Sequence, residues 1–250
     1  NSQIIYNEKK NLIENPKSNI IKIKQLIPNT KMIIMGGSLQ NLTIVANFIP
    51  QEKNSNTKTI DTRGLTGCLN LIDLEVKNIN IDISNGNCED SINIVRSKGT
   101  INELKILNSS NDALDIDFSD ISILKTNILT AGNDCIDLSF GKYKIGETNI
   151  SDCGDKAISV GEKSDLASQN LNIMNSNIGI ASKDSSKVRL VNANFKNVEV
   201  CLAAYNKKQE FLGGFIMINN FTCKNFSKKT LIDNLSIINL NNQILQTNEL

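Results

Sequence analysis

Aliphatic residues recur in this 250-residue chain at an interval of 22, and that spacing predicts an all-β fold: a right-handed, single-stranded parallel β-helix with coils of about 22 residues. Ile92, Leu114, Ile136, Ile158, Ile180 and Leu202 form the first column. A second runs Ile106, Ile128, Ile150, Ile173 and Phe195, with one extra residue between its third and fourth members. Between them lie short alternating apolar runs bounded by Asn, Asp, Gly and Ser, with no apolar stretch at helical spacing. A leucine-rich repeat has a similar period, but its Leu-x-x-Leu-x-Leu-x-x-Asn string is absent.

A single domain over 1–250 follows, with irregular N-terminal coils or a cap over 1–58, regular coils over 59–225, and a C-terminal coil or cap over 226–250. Ile20–Ile23, Met32–Met35 before Gly36-Gly37, and Leu42–Val45 read as the first strands, and Gln51–Lys58 as a polar loop. Asn108, Thr130, Asp152, Asn175 and Asn197 each follow a strand of the second column and read as a structural ladder of turn side chains. Asn206–Gly214 reads as an inserted loop, after which Phe215–Ile218 resumes the strands.

A net charge of +1 provides no strong field for nucleic acid, and no apolar run reaches the ~18 residues needed to insert in a membrane. Aromatic residues are scarce and Trp is absent, which argues against an extended stacking platform. The lack of His removes the usual proton shuttle. The chain opens at Asn1 rather than Met and is read as following a leader or further domains of a larger surface protein. Six cysteines, spread almost one per coil with no Cys-x-x-Cys pair, read first as small half-buried residues and alternatively as disulfides.

Chemistry is expected on three rungs: Asn111–Ile116, Asn133–Leu138 and Asp155–Val160. Strand alternation sends Ala113, Asp115 and Asp117, then Cys135, Asp137 and Ser139, then Ala157, Ser159 and Gly161 outward. Asp90, Asp112, Asp134 and Asp155 stand in a column at the strand entrances. Such a cluster is open to three readings: a Ca²⁺ site, an acid/base pair, or carboxylates that cap turns. Lys156, Lys163 and Lys183 add positive charge on the following coils. Ala113, Cys135, Ala157, Gly179 and Cys201 predict a smooth outer stripe.

The period, the Ile and Leu columns and the Asn ladder resemble the pectate-lyase-like superfamily over roughly 60–225. The core rungs further resemble the polygalacturonase pattern of Asn-Thr-Asp, Gly-Asp-Asp-Cys-Ile and Gly-His-Gly-Ile-Ser-Ile-Gly-Ser. Here they read Ser110-Asn111-Asp112, Gly132-Asn133-Asp134-Cys135-Ile136 and Gly154-Asp155-Lys156-Ala157-Ile158-Ser159-Val160-Gly161. Asn133 replaces a paired carboxylate, Asp155 or Lys156 stands at the His position, and no Arg-Ile-Lys string follows.

The resemblance implies a secreted or cell-surface, carbohydrate-active β-helix with a polysaccharide as partner. As an enzyme, a Ca²⁺-assisted uronate lyase is expected first, with Asp112, Asp134, Asp115 and Asp137 as metal ligands and Lys156 as base. Asp115, Asp117, Ser159, Lys163 and Lys183 would then contact substrate. A hydrolase would use Asp112 and Asp134 as its acid/base pair. A non-catalytic structural or binding module is the alternative of another class.

Overall fold

The computed structural model describes residues 19–28, 30–50 and 64–246, together with the backbone of 3–7 and 11–14. The expected polar loop at 51–58 lies outside the described residues. What is described is all-β: parallel strands stacked as a solenoid of about nine turns.

The predicted columns are the registers of the sheet. Ile92 pairs with Leu114, Leu114 with Ile136, Ile136 with Ile158, Ile158 with Ile180, and Ile180 with Leu202. Ile106, Ile128, Ile150, Ile173 and Phe195 pair likewise, and both sets lie in the buried core. Each coil buries its aliphatic face only against the coils above and below, so a period kept in the sequence is kept as a register. The extra residue is absorbed at a corner, where Glu162 and Lys163 both take left-handed φ of 46° and 61°. The equivalent turns at Phe118 and Phe140 have one such residue each. The second break is larger, since Leu202 pairs with Thr230 and the intervening Asn206–Gly214 loops outward.

The turn ladder is realised. Asn108, Thr130, Asp152, Asn175 and Asn197 all have left-handed φ between 54° and 67°, the conformation that Asn tolerates best among residues with a side chain. Asn175 Nδ2 donates to Asp152 Oδ1 at 2.8 Å and Asn197 Nδ2 to Asn175 Oδ1 at 3.0 Å. A second ladder, through Asn127, Asn149, Asn172 and Asn194, runs along the adjoining strands.

Antiparallel segments cover part of each end. Gln3–Asn7 pairs with Met32–Met35, Asn11–Glu14 with Ile20–Gln25, and Gln243–Leu245 folds back on Ile237–Leu240.

The expected small outer stripe is corrected. Ala113, Cys135, Ala157, Gly179 and Cys201 are all buried in the interior. Alternation fails at this corner because the chain bends just before the strand. Ala113 and Leu114, Cys135 and Ile136, and Ala157 and Ile158 are therefore buried as consecutive pairs. The side chains facing them come from the strand before the bend: Ser91 Oγ meets Ser109 Oγ at 2.6 Å, and Cys135 is bonded to Cys153. Cys68–Cys88 and Cys201–Cys223 complete three disulfides, which replaces the first reading of the cysteines as unbonded small residues.

Candidate functional site

Three parallel columns of side chains make the outer face of the coils from residue 90 onward. Asp90 is in register with Asp112 at the strand entrances, and Asp134 and Lys156 continue that edge. Asn93, Asp115, Asp137 and Ser159 form the floor. Val95, Asp117, Ser139 and Gly161 form the far edge, which continues along the next strand to Lys183.

At the entrance edge each carboxylate is tied to the next coil. Asp112 Oδ1 accepts the Asp134 amide at 2.8 Å and Asn133 Nδ2 at 2.7 Å. Asp134 Oδ1 accepts the Lys156 amide at 2.8 Å. One oxygen of each thus satisfies turn backbone, as the capping alternative requires. Burial pushes the Asp112 carboxyl up to about 6, partly opposed by its bonds to Asp134 and Asn133. Burial likewise raises Asp134, against the pull of Lys156.

Lys156 reaches back to this edge, with Nζ 3.4 Å from Asp134 Oδ1 and ion-paired to Asp155. Burial favours its neutral form, but the bond to Asp155 and the charges of Asp134 and Asp155 outweigh that, and its pKa is raised. It is a cation held between two carboxylates.

The floor is where carboxyl meets carboxyl. Asn93 Nδ2 donates to Asp115 Oδ2 at 2.8 Å and reaches Asp117 Oδ2 at 3.4 Å, so one amide bridges the two carboxyls. Burial first, then the charges of Asp90, Asp117, Asp137 and Asp112, hold Asp115 well above the ordinary carboxylate range. Asp117 is raised as well, by burial and by Asp137 and Glu162, while Asn93 and Asp115 pull it down. Beside this pair, Asp137 Oδ1 and the fully buried Ser159 Oγ have no hydrogen-bond partner among the described residues.

The wide corner brings in a group that the periodicity hid. Glu162 Oε2 accepts from Ser139 Oγ at 2.6 Å and Glu162 pairs with Lys208 of the inserted loop. Burial raises Glu162, but the Lys208 and Ser139 bonds overcome it and the carboxyl stays below its usual value. Asp184 Oδ1 anchors the same loop through the amides of Lys207 and Lys208.

The sequence-predicted residues therefore separate. Asp112, Asp134, Asp115, Asp117, Asp137, Ser159 and Lys156 share the face, and Lys183 lies buried beyond Gly161. Lys163 does not join them: its ammonium sits 5.7 Å from the Phe211 ring, beyond the turn. Asn93 was legible in principle, standing 22 residues before Asp115. Lys208 was not, because nothing in a repeat fixes the path of an insertion. Among the described residues no three His, Cys, Asp or Glu side chains are grouped so as to hold a metal ion.

No family model matches the chain, and neither a curated protein nor a solved structure matches it.

Proposed function

We propose that this chain is a carbohydrate-active β-helix of the pectate-lyase-like kind, which takes a polysaccharide along the face of coils 90–184 and hydrolyses it by acid/base chemistry. The observation that carries the reading is the Asp115–Asp117 pair, bridged by Asn93 and raised by burial, beside the unpartnered Asp137 Oδ1 and Ser159 Oγ. A neutral carboxyl held next to ionised ones is the arrangement that lets one group protonate a glycosidic oxygen while another activates water. Asp115 is the donor, and Asp117 or Asp137 the carboxylate. Asp112 and Asp134 shape the edge, and Asp112 adds to the burial that raises Asp115.

Ca²⁺-assisted elimination has less support. Asp112 and Asp134 already commit an oxygen each to backbone amides, and Lys156, protonated between Asp134 and Asp155, is a poor base. Those same backbone bonds favour the second reading, a non-catalytic module in which the Asp column joins coils. Three disulfides support a secreted or surface setting, where thiols oxidise.

The test is reducing-end release from a panel of neutral and acidic polysaccharides, with ultraviolet absorbance of unsaturated product followed in parallel. Reducing ends without unsaturation, lost in Asp115→Asn and Asp117→Asn, are expected. Unsaturated product that depends on added Ca²⁺ would restore the lyase. No release from any polymer would leave the structural module.

A further inference from the structure

Immediately beyond the far edge of the carboxylate face, a groove of about 1180 Å³ runs across the corner turns. Its most prominent feature is a pair of rings. Phe118 follows Asp117 and Phe140 follows Ser139, and their centroids lie 4.9 Å apart with planes 5° from parallel. That separation makes an offset stack, which leaves part of each π face uncovered. Phe118 is 57% exposed and Phe140 41%. Phe211, from the inserted loop, stands edge-on to Phe140 at 6.2 Å, with Lys163 over it.

The folding of the turns does not require these rings. Phe118 and Phe140 hold left-handed φ of 52° and 50°, the conformation that the other turn column fills mostly with Asn. A bulky side chain is strained there, and exposing its ring to water adds to the penalty. Two strained, exposed phenyl groups in adjacent coils, met by a third from an insertion, point to a ligand.

The charges beside the rings decide its class. Glu75, Lys98, Asp120, Lys142, Asp165 and Lys187 are consecutive register partners along the groove. Their signs alternate at the strand spacing of about 4.8 Å, close to the length of one sugar residue, so the row carries no net field. It offers donors and acceptors in turn, which suits hydroxyl groups and attracts neither a polyanion nor a polycation. The ionised carboxylates of the adjoining face disfavour uronates further.

From this geometry we infer that Phe118, Phe140 and Phe211 form a stacking platform for the pyranose rings of a neutral polysaccharide, leading the chain onto the carboxylate floor. The negative ring faces take the sugar's axial C–H bonds, and the alternating row takes its hydroxyls. The assignment rests on the carbohydrate reading above and narrows its substrate to neutral glycans. It runs counter to the expectation that scarce aromatic residues argue against an extended stacking platform.

Affinity electrophoresis tests it, in native gels containing a neutral galactomannan, a neutral β-glucan or polygalacturonate. The intact chain is compared with Phe118→Asn/Phe140→Asn. Asn tolerates left-handed φ better than Phe does, so the double variant is expected to melt at or above the wild-type temperature. Retardation of wild type by a neutral polymer and not by polygalacturonate is expected, weakened roughly tenfold in the double variant. Equal retardation of wild type and double variant overturns the platform but leaves the carbohydrate reading standing. Retardation by polygalacturonate alone overturns the substrate class. Retardation by none of the three overturns the inference, while reducing-end release separately decides the parent reading.

Discussion

Replacing Asp90 by Asn isolates the energetic consequence of crowding carboxyls on one face. Asp90 is buried, and its Oδ2 has no partner among the described residues. Burial, with smaller contributions from Asp112, Glu89 and Asp117 and against a bond from Thr66, lifts its carboxyl from 3.8 to about 7. The folded chain therefore holds this proton more tightly than the unfolded chain does. Below about pH 4 both states are protonated and the group is neutral in its effect. Between about pH 4 and 7 the unfolded state alone ionises, so stability falls as pH rises. Above about 7 the full penalty is present. At ~1.4 kcal/mol per tenfold change in acidity, that penalty is about 4 kcal/mol at most, and about half survives relaxation of the neighbours. Asp90→Asn keeps the shape and removes the charge. Thermal melts at pH 4, 6 and 8 should show a difference near zero at pH 4 that grows to a gain of about 2–4 kcal/mol at pH 8. At this chain length that is roughly 2–4 °C per kcal/mol. A pH-independent difference, or a loss at pH 8, would refute the account.

Thr130 is the β-branched member of the left-handed turn column, with φ of 67°. Thr130→Asn relieves that conformation and extends the amide ladder between Asn108 and Asp152, so equilibrium unfolding should show a gain of about 1 kcal/mol. Cys135→Ser/Cys153→Ser opens a crosslink between residues 18 apart in sequence, which should cost about 3 kcal/mol; reductant should destabilise wild type alike and leave the variant's midpoint unmoved only if the other two bonds resist it.

The repeat was legible because each coil must bury its aliphatic face against the next, and any lapse of the interval would break both core and register. Ile92 through Leu202 could therefore be placed from the sequence, and so could the turns at Asn108 and Asn197, whose left-handed backbone Asn tolerates well. Asp112, Asp115, Asp117, Asp134 and Asp137 were placed on one face by the same arithmetic. Alternation misled only at the corner before the strand, where Cys135 and Ile136 both turn inward.

What the sequence determined by itself is thus everything that repeats: period, columns, ladders, and the gathering of carboxylates along one side. Tertiary structure alone decided what does not repeat. It paired Cys135 with Cys153, bridged Asp115 and Asp117 through Asn93, and held Lys156 between Asp134 and Asp155. It also carried Lys208 to Glu162 and Phe211 to Phe140 on the inserted loop. The physical reason is that periodicity fixes which residues stack, while side-chain rotamers, corner bends and insertions fix which of them touch.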